Sequence, residues 1–131
     1  MTSAAASIVG ALALIDQQFS ELASTLGRLP GVSSTTMAIS PKRYADGDRV
    51  ECYVDAELQS GNGVGWWLEF RFVDGSWIIE SSVKHNTEEG ENEILGLPTR
   101  YAVDDDDLID ELSGASAGLV SAISKVDFAA L

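Results

Sequence analysis

The dipeptide Asp74-Gly75 sits between two runs that alternate apolar and polar residues, GWWLEFRFV before it and SWIIESS after it. This arrangement predicts a β-hairpin closed by a two-residue turn, because Asp-Gly accepts the positive φ angles that such a turn needs. With Val73 opposite Ser76, the pairs Phe72 with Trp77, Phe70 with Ile79 and Trp66 with Val83 all fall on one face. A slip of one residue would send one member of each pair to the other face, so the register is well specified. The same register sets Glu69 opposite Glu80, and like charges facing each other across strands destabilise a sheet. The pair is therefore expected to belong to an acidic face built to hold a basic protein, whose Lys and Arg side chains would relieve the repulsion.

A second alternating run, Arg49 to Leu58, places Val50, Cys52, Val54, Ala56 and Leu58 on one side and Glu51, Tyr53, Asp55 and Glu57 on the other. The turn-forming stretch Ser60-Gly61-Asn62-Gly63 leads from it into the hairpin. The hairpin buries Trp66, Leu68, Phe70 and Phe72 on its first strand and returns through Trp77, Ile79, Ser81 and Val83. Thr35 to Ser40 is expected as a further strand, broken by Pro41. Residues 84 to 103 read as a long connection, polar and acidic from Thr87 to Glu93, with room for a short helical turn.

Two helices flank these strands. Ile8, Leu12, Ile15, Phe19, Leu22, Leu26 and Leu29 recur at spacings of four and three, the mark of a long amphipathic helix. Thr2 or Ser3 can cap its start, and Gly27, Pro30 and Gly31 end it. Its stripe suits packing onto a sheet, the favoured reading, although the strict repeat also permits a coiled-coil seam between two copies. The second helix begins near Asp104, where Asp104 to Asp107 supply a cap and favourable charge for the helix dipole. Its stripe is Leu108, Leu112, Ala115, Leu119, Ala122 and Val126, with Gly114 and Gly118 weakening it or letting it pack closely. The expected fold is a single α+β domain over residues 1–131: a two-layer sandwich in which an antiparallel meander of about four strands carries the N-terminal and C-terminal helices on one face.

A chain of 131 residues with 45% hydrophobic content can build one real core. Its net charge of −13 disfavours nucleic acid and anionic membranes and favours basic partners. Cys52 is the only cysteine, so no intramolecular disulfide forms. The apolar run Ala4 to Ile15 has no preceding Lys or Arg and belongs to an amphipathic pattern, so it reads as helix rather than signal peptide. No run reaches the roughly 18 to 20 apolar residues of a membrane span. A soluble, cytoplasmic protein is expected.

Residues able to do chemistry are few. His85, the sole histidine, sits at a strand end beside Lys84 and Asn86, where a structural role accounts for it. Cys52 falls on the buried face as a small apolar residue. Gly61-Asn62-Gly63-Val64-Gly65 lacks the Lys-Ser/Thr of a phosphate loop and opens a strand rather than a helix. Asp104 to Asp107 with Asp110 and Glu111 lack the offsets of an EF-hand, and capping explains them. No catalytic site, metal or cofactor is expected.

What remains is the outward face of the sheet. If the second and third strands pair so that Leu58 meets Trp66, Asp55 faces Glu69 and Tyr53 faces Arg71. That face carries Glu51, Asp55, Glu57, Glu69 and Glu80, interleaved with Tyr53, Trp67 and Ile78, and Arg71 is its one strong base. Aromatic residues in a charged surround are typical interface anchors. A solvated face with Trp67 covered by a loop or a second subunit accounts for the same residues. A second acidic patch runs from Glu88 to Glu111, where ten acids and one base, Arg100, leave a local charge of −9.

In size, acid-rich composition, expected α+β sandwich and the hairpin WWLEFRFVDGSWIIE, the chain resembles the small, acidic, single-domain immunity proteins that bacteria encode beside polymorphic or contact-dependent toxins. The resemblance implies tight binding to a basic toxin domain, as a monomer or homodimer, and inhibition without catalysis. A type III secretion chaperone is the alternative: the heptad and exposed aromatics favour it, while the uninterrupted meander opposes it. A third reading is a small-molecule binder or enzyme with Trp66, Phe70, Phe72 and Trp77 lining a pocket between sheet and helices, although core packing accounts for the same rings.

Overall fold

The computed structural model describes residues 4–44 and 47–131, with side chains for residues 9–40 and 49–131. The expected caps Thr2 and Ser3 lie outside the described residues, as does the side chain of Ile8. The elements run α1 (Ala4–Gly27), β1 (Val32–Tyr44), β2 (Gly47–Leu58), β3 (Gly63–Val73), β4 (Ser76–Thr87), β5 (Gly90–Gly96), β6 (Arg100–Ala102) and α2 (Asp105–Ala122), followed by two short 3-10 turns, Ile123–Lys125 and Phe128–Ala130. This is the α+β antiparallel architecture expected, with more strands than four. The sheet follows the order β1-β2-β3-β4-β5, and β6 pairs with the part of β4 that β5 leaves free.

The hairpin forms as its sequence dictates. Val73 pairs with Ser76, Phe70 with Ile79 and Trp66 with Val83, and Glu69 faces Glu80. Asp74 and Gly75 hold φ angles of 51° and 81°, so both central residues occupy the left-handed region that a twisted two-residue turn requires.

Three expectations about the other strands need correction. β1 does not stop at Pro41 but continues to Tyr44, with Pro41 opposite Val50. An edge strand tolerates proline because one side of its hydrogen-bonding ladder has no neighbour. The segment expected as a connection with a helical turn contains β5 and β6 instead. A second tight turn, with Thr87 paired to Gly90, folds the acidic stretch back onto β4, and the Thr87 hydroxyl accepts a hydrogen bond from the Glu89 amide at 3.2 Å. As an exposed edge, β5 has no need of an apolar face, and its charges discourage further strand pairing. Finally, β2 and β3 pair with Tyr53 opposite Trp67 and Glu51 opposite Glu69, not with Leu58 opposite Trp66. The cause is the loop: the Leu58 amide bonds to the Asn62 carbonyl at 2.8 Å, so pairing resumes at Gly63 and the glycines taken for loop lie in the strand.

Both helices cover the same face of the sheet. Ala11, Ile15, Phe19, Leu22 and Leu26 of α1 are buried against β1, β2 and α2, while Leu12 and Leu29 are only partly covered. The stripe is thus used within the chain's own core. Leu108, Leu112, Ala115, Leu119 and Ala122 of α2 complete that core, with Val126 at its margin. Trp66 joins the layers: its indole Nε1 donates to the Leu119 carbonyl at 3.1 Å, and its ring stacks on Phe128 with centroids 6.0 Å apart. Phe70 and Trp77 pack tilted at 5.9 Å. The aromatic rings proposed as a pocket lining therefore fill the interior, except for Phe72, which is expected to be buried but is 40% exposed near the hairpin tip, edge-on to Trp77.

Candidate functional site

The face of the sheet away from the helices holds every residue the sequence nominated: Glu51, Tyr53, Asp55, Glu57, Trp67, Glu69, Arg71, Ile78 and Glu80. The register orders them in rows across the strands. Glu51, Glu69 and Glu80 form one row; Arg49, Arg71, Ile78 and Tyr101 form the next. On the other side of the acidic row come Tyr53, Trp67 and Ser82, then Asp55, Gly65, Lys84 and Glu93, then Glu57, Gly63, Asn86 and Glu91.

These rows answer the charge problem posed by Glu69 and Glu80. Arg71 Nη1 donates to Glu69 Oε1 at 2.8 Å and Arg71 Nη2 to Glu80 Oε1 at 3.1 Å, and Arg49 Nη1 stands 3.8 Å from the same Glu69 oxygen. Glu69 is nearly buried, its side chain 7% exposed, so a charge-assisted bond there satisfies a group that solvent reaches poorly. Burial disfavours the charged Arg71 guanidinium, but the hydrogen bonds and charges of Glu69 and Glu80 outweigh it and hold its pKa above the ordinary arginine value. The compensating charge is internal. Arg49, the second base of this face, begins the β2 alternation in the sequence and follows from the same pattern.

Glycine shapes the other half of the face. Gly63 and Gly65 put no side chain between β2 and β4, and two adjoining depressions result. One, of about 390 Å3, is bordered by Glu51, Tyr53, Asp55, Gly65, Trp67, Lys84, Asn86 and Glu91. The other, of about 490 Å3, shares Asp55 and Asn86 and extends past Glu57 to Asn62 and Glu88. Asp55 leans over the gap, since a β-carbon at position 65 would lie 2.9 Å from its Oδ1. Burial, and then the negative charge of Glu91, raise the Asp55 pKa above the ordinary carboxylate value. Lys84 Nζ bonds Glu91 Oε1 at 3.0 Å and stands 4.5 Å from the centre of the Trp67 ring, a cation–π contact.

Sequence reasoning missed Lys84, Asn86 and Glu91. The first two were within reach, because the hairpin register that pairs Val73 with Ser76 also pairs Gly65 with Lys84 and Gly63 with Asn86. Glu91 required β5 to be recognised.

The acidic segment from Glu88 to Glu111 is divided between the layers. Glu91 and Glu93 belong to β5 and extend the open face. Asp104 caps α2, its Oδ1 accepting from the Asp107 amide at 2.8 Å, and Glu111 pairs with Arg100 at 3.1 Å; these lie in the helical layer.

Cys52 is fully buried, and burial, reinforced by the charge of Glu51, pushes its thiol pKa up to about 12. It sits opposite Leu68, whose β4 partner is Ser81, so the ladder does not bring it beside His85. Among the described residues, no group of three or more His, Cys, Asp and Glu side chains is arranged to hold a metal ion, and no helix is long and apolar enough to cross a membrane. No family model matches this chain, and neither a curated protein nor a solved structure matches it.

Proposed function

We propose that this chain is an acidic protein-binding module that docks a basic protein on its open sheet face, in the manner of a cytoplasmic immunity protein occluding a toxin domain. The observation that carries the reading is the charge left over once Arg71 has answered Glu69 and Glu80. Asp55, Glu57, Glu91 and Glu93 share one continuous surface with Lys84, around the half-buried rings of Tyr53 and Trp67. A negative field of this kind speeds encounter with a cationic partner, and aromatic rings inside it give the contact apolar anchors. A chaperone-like dimer finds less support, because the α1 stripe it would use packs on β1, β2 and α2.

The test is co-purification of the tagged chain from its host at low and at moderate salt, with the captured proteins identified by mass spectrometry. One folded basic partner at equal stoichiometry is expected, released when Glu57 and Glu93 are both changed to Lys. Glu69 and Glu80 are left unchanged in this test because both are hydrogen-bonded by Arg71, so reversing them would disturb that cluster as well as any partner contact. A partner indifferent to Glu57→Lys with Glu93→Lys would exclude this face.

A further inference from the structure

We propose that the depression beside Trp67 receives one lysine side chain of the protein partner, with its ammonium over the Trp67 ring and against Asp55, in the place where Lys84 now stands. The proposal rests on the reading of the open face as a protein-binding surface and names what that surface grips. Its first support is that the position already holds an ammonium: Lys84 Nζ lies 4.5 Å from the Trp67 ring centre and 3.0 Å from Glu91. A ring face with carboxylates beside it attracts cations, and more strongly as water is displaced. Second, the internal cation is outnumbered. Asp55 and Glu91 border the depression against Lys84.

Third, a carboxylate there lacks full compensation: the Asp55 Oδ1 leans over Gly65, within 2.9 Å of where a β-carbon would stand. Asp55 binds its proton more tightly than a solvated carboxylate does, through burial and the charge of Glu91, so an added cation relieves a repulsion already present. Fourth, the space is made by glycine. Gly65 floors the depression, and the strip continues past Gly63 into the neighbouring one, which shares Asp55 and Asn86. An open trough of this length suits a side chain carried on a polypeptide better than a free small amine. On docking, Lys84 keeps Glu91 and leaves the ring.

The experiment titrates the full chain, labelled with 15N, with a decapeptide of alternating lysine and serine, and reads the three tryptophan indole signals assigned through Trp→Phe variants. The Trp67 signal should move saturably while those of the buried Trp66 and Trp77 stay. Gly65→Ala changes no charge but places a methyl group against Asp55, and should weaken the peptide at least about tenfold, ~1.4 kcal/mol. Lys84→Met empties the ring and should tighten it. Asp106→Asn with Asp107→Asn, in the helical layer, should leave it unchanged. Unmoved Trp66 and Trp77 signals in Gly65→Ala report that the variant is folded, and Lys84→Met touches no core residue.

A Trp67 signal that stays still overturns the proposal. So does full affinity in folded Gly65→Ala, which would mark diffuse attraction, and so does an equal response to spermine, which would mark a small-amine site. If Gly65→Ala still retains a captured basic partner that Glu57→Lys with Glu93→Lys releases, the trough falls and the surface reading stands. If those reversals release nothing, the surface reading itself falls.

Discussion

Arg71 Nη1 meets Glu69 Oε1 at 2.8 Å on a face of the sheet where Glu69 is almost closed off from solvent. The hairpin that pairs Glu69 with Glu80 thus carries its own remedy two residues along the same strand, where the pleat returns a side chain to the same face. Replacing Arg71 with Met should leave a nearly buried carboxylate beside a second one and cost about 1–3 kcal/mol. Adding Glu69→Gln should recover much of that loss, because the group left stranded would then be neutral. Urea unfolding of the two single variants and the double variant measures the coupling, and additive losses would show that the pair contributes nothing specific.

The parts of this fold legible in the sequence are those in which one periodicity decides everything. The alternation around Asp74-Gly75 specified the β3–β4 register to the residue, and Val50 through Leu58 specified a buried face, because a one-residue slip in either would expose several large side chains. The α1 and α2 stripes were legible for the same reason at helical spacing. Where burial imposes no pattern, the reading failed. The exposed edge strand β5 looks like an acidic loop, and Gly63 and Gly65 look like turn residues although they pair with Glu57 and Asp55. That second error displaced the β2–β3 register and hid the glycine trough. The outward face was still assigned correctly, since an even displacement keeps each residue on its side of the sheet.

Asp55 should make stability depend on pH in a stated direction. Its folded-state pKa is raised, by burial first and by Glu91 second, so the folded protein holds the Asp55 proton over a range where the unfolded chain has released it. Stability therefore falls as pH rises from the ordinary carboxylate pKa through the raised one, and the loss persists at neutral pH. Asp55→Asn should melt at a higher temperature than the parent at neutral pH, and the difference should shrink on acidification to about pH 4. Calorimetry at the two pH values checks this. An Asn variant less stable at neutral pH would mean that the carboxylate is held by favourable contacts.

Two helical glycines should respond differently to alanine. Gly10 lies within α1 with nothing among the described residues within 4 Å of a β-carbon there, so Gly10→Ala should stabilise by about 0.5–1 kcal/mol through helix propensity alone. At Gly114 the new carbon would lie 2.5 Å from Arg100 Nη1. The guanidinium must move away from Glu111, and that partly exposed ion pair is worth ~1 kcal/mol or less. Propensity gain and ion-pair loss are of similar size, so Gly114→Ala should be close to neutral. If Arg100→Ala is made first, the same alanine should recover its full propensity gain. Thermal melts of the four chains read out the cycle.

Trp66 ends the α2 helix as well as filling the core. The last carbonyls of a helix have no partner within it, and Leu119 is among them: the Ile123 amide, four residues on, turns to Val120 and Ser121 instead. The Trp66 indole supplies the missing donor at 3.1 Å. Trp66→Phe keeps most of the apolar surface but removes that donor, leaving a carbonyl unsatisfied at the edge of a dry core, which should cost about 1–3 kcal/mol. Trp66→Ala adds a large cavity and should cost about 3–5 kcal/mol. Amide hydrogen exchange separates the two effects. With Phe, protection should drop first in the last turn of α2 while β3 and β4 stay protected; with Ala, all three should open together. Equal loss across α2 and the sheet in Trp66→Phe would mean that the ring's volume, rather than its hydrogen bond, holds the helix end in place.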